Sequence, residues 1–66
     1  MKNKIKVYRA MRNITLEELA YQLRVTRRTI NSIEGWKYNP SIEVAFRMAQ
    51  LFDIPVEELF SLDEEE

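Results

Sequence analysis

Any chemistry in this chain has to come from carboxylates, hydroxyls and cationic side chains, because its 66 residues contain no His and no Cys. That removes the commonest general base and the commonest metal ligand, together with disulfides and thiolate zinc sites. The carboxylates that fall together, Glu17-Glu18 and Glu57-Glu58, are sequence neighbours. Neighbouring residues on a helix point in different directions, so neither pair can converge on one substrate. They read as caps and solvated faces. With no Gly-rich phosphate loop either, the expectation is a protein that is not an enzyme, with no cofactor and no metal site. The donors are arranged differently. Arg27, Arg28, Asn31 and Ser32 stand at i, i+1, i+4 and i+5, which gathers guanidinium, amide and hydroxyl groups on the side of a helix opposite Ile30 and Ile33. Such a face suits a major groove.

The elements that must hold this face follow from the apolar spacing. Leu19, Ala20 and Leu23 lie at i, i+1 and i+4, Val25 leads into the N-cap type residue Thr26, and Ile30 and Ile33 resume the pattern. This predicts helix, tight turn, helix over about 16–34, with Ala20 small enough for close crossing and Val25 filling the corner. Before it, Asn3 is expected to cap a helix of about 4–12 whose stripe is Ile5, Tyr8 and Met11, with Lys4, Lys6 and Arg12 left wet and Asn13 as a left-handed terminator. Thr15 and Glu18 have capping-box spacing. After it, Gly35 to Pro40 form a loop, Ser41 caps a fourth helix of about 42–52, and Pro55 suits the first turn of a short fifth helix ending near Leu59 or Phe60. No strand pattern is visible. The expectation is one all-α domain over 1–66, with five helices and an acidic tail over 61–66.

At 45% hydrophobic and 32% charged residues, the composition is that of a globular chain with one small core rather than a disordered one. No apolar run approaches the roughly 20 residues of a membrane helix, which makes the cytoplasm the expected compartment. The formal net charge of −1 conceals a division. Residues 1–40 carry nine Lys or Arg against three Glu, a balance of +6, whereas residues 41–66 carry Arg47 against eight Asp or Glu, a balance of −7. A polyanion responds to the local field within a Debye length of roughly 8 to 10 Å, so the basic half can meet DNA. Val44 and Leu51 lie apart from the Ala45, Met48, Ala49, Phe52 stripe. With Phe60 and Leu62 they are either an extension of the core or a dimer patch.

Taken together, Ile14-Thr15-Leu16-Glu17-Glu18-Leu19-Ala20, Val25-Thr26-Arg27-Arg28-Thr29-Ile30, Ile33-Glu34 and Tyr38-Asn39-Pro40-Ser41 resemble the Cro and phage-repressor type of helix-turn-helix, the XRE family. Its short stand-alone members, such as the cytolysin repressor, are the most similar. The resemblance spans about Ile5 to Phe60. It implies a five-helix lambda-repressor-like domain that binds a near-palindromic operator as a homodimer, usually as a transcriptional repressor. It also implies that the third helix enters the major groove, with Arg28 and Ser32, and Asn31 beside them, at base edges. Thr26 and Arg27 would lie at phosphates, as would Thr15 and Leu16 at the start of the second helix and Lys37, Tyr38 and Asn39 in the following loop. Arg9 and Glu34 match a structural ion pair.

Three positions depart from the family pattern. Leu16 replaces a usual Gln, which removes a polar contact. Arg24 stands where Gly is common in the turn, requiring a left-handed or adjusted backbone. Trp36 stands where the helix-ending Gly or Asn belongs, so either the third helix ends a residue sooner or Trp36 itself takes positive φ, with its indole packed under the loop or lying near DNA. A different class of function, an antitoxin-like or other protein-binding module, would use the acidic tail and the fourth-helix patch instead.

Overall fold

Three of the helices begin where the sequence supplies hydroxyl caps. In the computed structural model, which describes residues 1–62, α1 spans Ile5–Arg12, α2 Leu16–Leu23, α3 Arg27–Glu34, α4 Ile42–Phe52 and α5 Val56–Leu59. The hydroxyls of Thr15, Thr26 and Ser41 accept from the backbone N–H groups of Glu18, Thr29 and Val44 at 3.0, 3.1 and 3.2 Å. Each satisfies a first-turn donor that the helix itself cannot. Glu18 completes the capping box by accepting from the Thr15 N–H at 3.0 Å. Pro55 stands just outside α5 as its N-cap, with φ −65°.

The start of α1 differs from expectation. Lys4 is the N-cap, and Asn3 lies one residue earlier. Its Oδ1 nevertheless accepts from the Ile5 N–H at 3.1 Å, while its Nδ2 donates to the Ile33 carbonyl at 2.7 Å. One amide thus serves the beginning of α1 and the end of α3. The reason lies in a feature the sequence reading did not contain: β1 (Lys2–Asn3) pairs antiparallel with β2 (Phe60–Ser61), in the register Lys2 with Ser61 and Asn3 with Phe60. Two-residue strands are too short to show a period of two, so no alternation could announce them.

Ile5, Leu19, Leu23, Ile30, Ile33, Met48, Phe52 and Leu59 bury their side chains in one core between the helices. Ala20 is buried in the same core, and Val25 packs against it. The Val25 N–H donates to the Ala20 carbonyl at 3.1 Å, so the expected helix, tight turn and helix are present. Tyr8 and Phe52 bring their ring centroids to 5.8 Å. One expectation for α1 fails at its end: Met11 is 71% exposed. Arg12 is exposed as expected, and it also donates to the Leu51 and Phe52 carbonyls at 3.4 and 2.8 Å. There it serves carbonyls that the end of α4 leaves without helical partners.

The arrangement is an all-α lambda-repressor-like fold carrying a minimal sheet. Among the described residues no helix is long and apolar enough to cross a membrane. Of the acidic tail read over 61–66, Ser61 belongs to β2, Leu62 is exposed, and residues 63–66 lie outside the described residues.

Candidate nucleic-acid interface

α3 is amphipathic in the simplest way: Ile30 and Ile33 face the core, and Arg27, Arg28 and Asn31 are exposed on its outer side. Ser32 is half-buried at the edge of that face. Among the described residues no carboxylate lies within ion-pair distance of Arg28. Arg27 has a loose, exposed contact to Glu17 of α2 at 3.9 Å, a separation and exposure at which the pair contributes little. Thr26 sits at the helix N-terminus, where unpaired N–H groups add positive potential. Its hydroxyl also lies 2.9 Å from that of Thr29.

The acid at the other end of α3 is removed from the surface. Glu34 accepts from Arg9 Nε at 2.6 Å and from Nη2 at 3.4 Å, with only 18% of the Arg9 side chain and 5% of the Glu34 side chain exposed. Arg9 Nη1 also donates to the Ile14 carbonyl at 3.0 Å. A carboxylate this buried is tolerated because the guanidinium both neutralises it and satisfies its oxygens. The contact is the one implied by the family resemblance. It leaves the outer face of α3 with cations and no exposed acid of its own.

Besides Thr26, the residues expected at phosphates fall into two groups. Thr15 and Leu16 at the start of α2, Arg27, Arg9 and Glu17 line one shallow hollow of about 370 Å³ between the beginnings of α2 and α3. The Leu16 side chain is half-buried and packs on the core, so what this position can present to an anion is the N-terminal backbone of α2. Glu17, expected on a cap or solvated face, also lines this hollow; its spacing from Thr15 carries no signal that it lies beside Arg27. Lys37, Tyr38 and Asn39 form the second group, all exposed in the loop after α3. That loop is folded onto the helix it leaves, since the N–H groups of Trp36 and Lys37 donate to the Ile33 and Ser32 carbonyls, each at 3.0 Å. Asn39 accepts from the Met1 amino nitrogen at 3.2 Å.

At Trp36 the structure selects one of the two alternatives. Its φ is 66°, whereas Gly35, the C-cap, has φ −83°. The indole lines a groove with β1 and β2 and is 54% exposed. Arg24 likewise takes the left-handed conformation, at φ 61°.

The four residues considered for a dimer patch are divided. Phe60 is buried in the monomer's own core, as the core-extension alternative required, and Val44 and Leu51 are half-buried against it. Leu62 is 71% exposed. Ile42 and Phe46, four residues apart on α4 and both exposed, were not singled out by the sequence, because one exposed apolar residue per turn looks the same as a buried one before the partner helices are placed.

The comparisons agree with this geometry. Residues 3–65 match the model of a family described as a helix-turn-helix domain. A protein of Methanocaldococcus jannaschii named as an uncharacterized HTH-type transcriptional regulator is 47% identical over 66 residues, covering 100% of both chains. One of Archaeoglobus fulgidus with the same description is 46% identical, over 100% of this chain and 93% of the relative. A Bacillus subtilis protein, also named as an uncharacterized HTH-type transcriptional regulator, is 38% identical over 98% of each chain.

Proposed function

This chain belongs to the XRE-type helix-turn-helix family and is a DNA-binding regulator of transcription, and we propose that it is a repressor that binds a near-palindromic operator as a homodimer, with α3 in the major groove. The observation that carries the proposal is the face of α3. Arg27, Arg28 and Asn31 are exposed together, and the one acid of that helix is held inside by Arg9. In this reading Arg28 reads a base edge, with Asn31 and Ser32 beside it. Arg can place two parallel hydrogen bonds on O6 and N7 of guanine, so each half-site contains a G at that position. Arg27, Thr26, Thr15, the α2 N-terminus at Leu16, and Lys37, Tyr38 and Asn39 hold phosphates, which fixes register without reading sequence. A twofold dimer then sets half-site centres roughly 10 bp apart. Repression follows when such an operator overlaps a promoter. A chromosomal partner makes the cytoplasm the working compartment.

The test is selection from a randomised duplex library, followed by anisotropy titration of the winner against random DNA at several salt concentrations. An enriched inverted repeat containing G, bound with a steep salt dependence, is the expected result. Arg28→Gln should lower the preference for that G by about 1 to 3 kcal/mol. No enriched sequence, together with dispensable Arg27 and Arg28, would sink the reading and point to a protein partner.

A further inference from the structure

The chain places its only glycine and its only tryptophan side by side, and the backbone uses them in the costlier order. Gly35 has φ −83° and Trp36 has φ 66°. A Cβ at position 35 would meet the Asn31 carbonyl oxygen at 3.5 Å, an ordinary contact, so nothing there requires glycine. Position 36, where glycine would relieve the strain, instead holds a bulky side chain with no short polar group to ease the left-handed backbone. Strain of this kind concentrates where a side chain has a task.

The surroundings of the indole indicate the task. It is 54% exposed and lines two adjoining hollows. Lys2 and Lys4 border the first, with Glu57 and Glu58 on its α5 side, and Lys6 borders the second together with Glu34, whose charge is taken up by Arg9. The lysine-bearing segment is fastened in place. Asn3 Nδ2 donates to the Ile33 carbonyl at 2.7 Å, the Lys4 N–H to the Leu59 carbonyl at 2.9 Å, and the Met1 amino nitrogen to Asn39 at 3.2 Å. The strand is therefore held against the last turn of α3 and against the 37–39 loop.

We propose that Trp36, with Lys2, Lys4 and Lys6, forms a second contact with the DNA backbone beside the α3 face. The indole N–H donates to a phosphate oxygen, and the lysines neutralise neighbouring phosphates. The contact is indifferent to sequence and adds affinity on any duplex. It rests on the reading of α3 as the DNA-binding helix.

The experiment uses the full chain, random-sequence duplex DNA and the emission of Trp36, with Arg27→Ala as the control for the α3 face. DNA should change the wild-type indole emission. Trp36→Gly should raise Tm by about 4 °C, because the left-handed strain is relieved, and weaken binding about tenfold. Lys2→Ala and Lys4→Ala, both at exposed positions, should each lower the salt slope by about 0.9. The inference is overturned, with the α3 reading intact, if Trp36→Gly binds as wild type and emission ignores DNA while Arg27→Ala weakens binding. If Arg27→Ala also binds as wild type, both fall.

Discussion

At the scale of single residues, what a charge does here depends on how much water it keeps. Arg9 and Glu34 are mostly withdrawn from solvent, so Glu34→Ala leaves a guanidinium without its partner and should cost about 3 kcal/mol in urea unfolding. Arg47 and Glu43 form a 2.8 Å pair of the same chemistry on the exposed side of α4, and Glu43→Ala should cost no more than about 0.5 kcal/mol. Arg27 keeps most of its exposure. On the proposed reading of it as a phosphate clamp, Arg27→Ala should weaken all duplexes alike and lower the salt slope by about 0.9. The ion pair was legible only through a family pattern, since nothing in the spacing of Arg9 and Glu34 brings them together. The partners of Arg12 were not legible at all. They are backbone carbonyls at the end of a helix 39 and 40 residues away, and a carbonyl has no letter in the sequence.

At the scale of elements, the helix starts were readable and the helix ends were the points of interest. Thr15, Thr26 and Ser41 cap as their types demand because the interaction spans three residues and involves no other element. Asn13, Arg24, Trp36 and Asp53 all take positive φ. Asn and Asp do so cheaply, whereas Arg and Trp carry a strain of roughly 1 to 2 kcal/mol each. Arg24→Gly should therefore stabilise the turn between α2 and α3 by up to about 1 kcal/mol, read as a rise in thermal midpoint. Gly35→Ala, at a φ that any residue adopts, should gain about 0.4 to 1 kcal/mol by restricting the unfolded chain. The lack of such locality explains why Asn3, the expected cap, lies one position before the actual one. Its role is set by the strand pairing, which joins the two ends of the chain.

At the scale of the whole molecule, charge and shape are divided along the chain. The +6 balance of residues 1–40 and the −7 balance of residues 41–66 make association with DNA fast at low salt and steeply weaker as salt rises. The dimer required for an inverted repeat is checked by sedimentation equilibrium. Leu62→Glu, at a site 71% exposed in the monomer, should shift the population to monomer and lower Tm only by the stabilisation that dimerisation supplies, so that Tm no longer rises with protein concentration. A dimer that persists would move the interface to the Ile42 and Phe46 face of α4. The helix-turn-helix was legible because α2 and α3 are consecutive, whereas the contacts of α1 with α3 and α4 and the pair of strands join distant parts of the chain. Asn3 and Phe60 are 57 positions apart, so bringing them together costs about 3 to 4 kcal/mol of loop-closure entropy, more than a two-residue ladder returns on its own. What holds the clasp shut is the burial of Phe60. A pairing of such high sequence separation is expected to close after the helices have assembled. Phe60→Ala should then speed unfolding while leaving the refolding rate nearly unchanged, and the Lys4 amide, bonded to Leu59 across the clasp, should exchange with solvent long before the amides of α2 and α3.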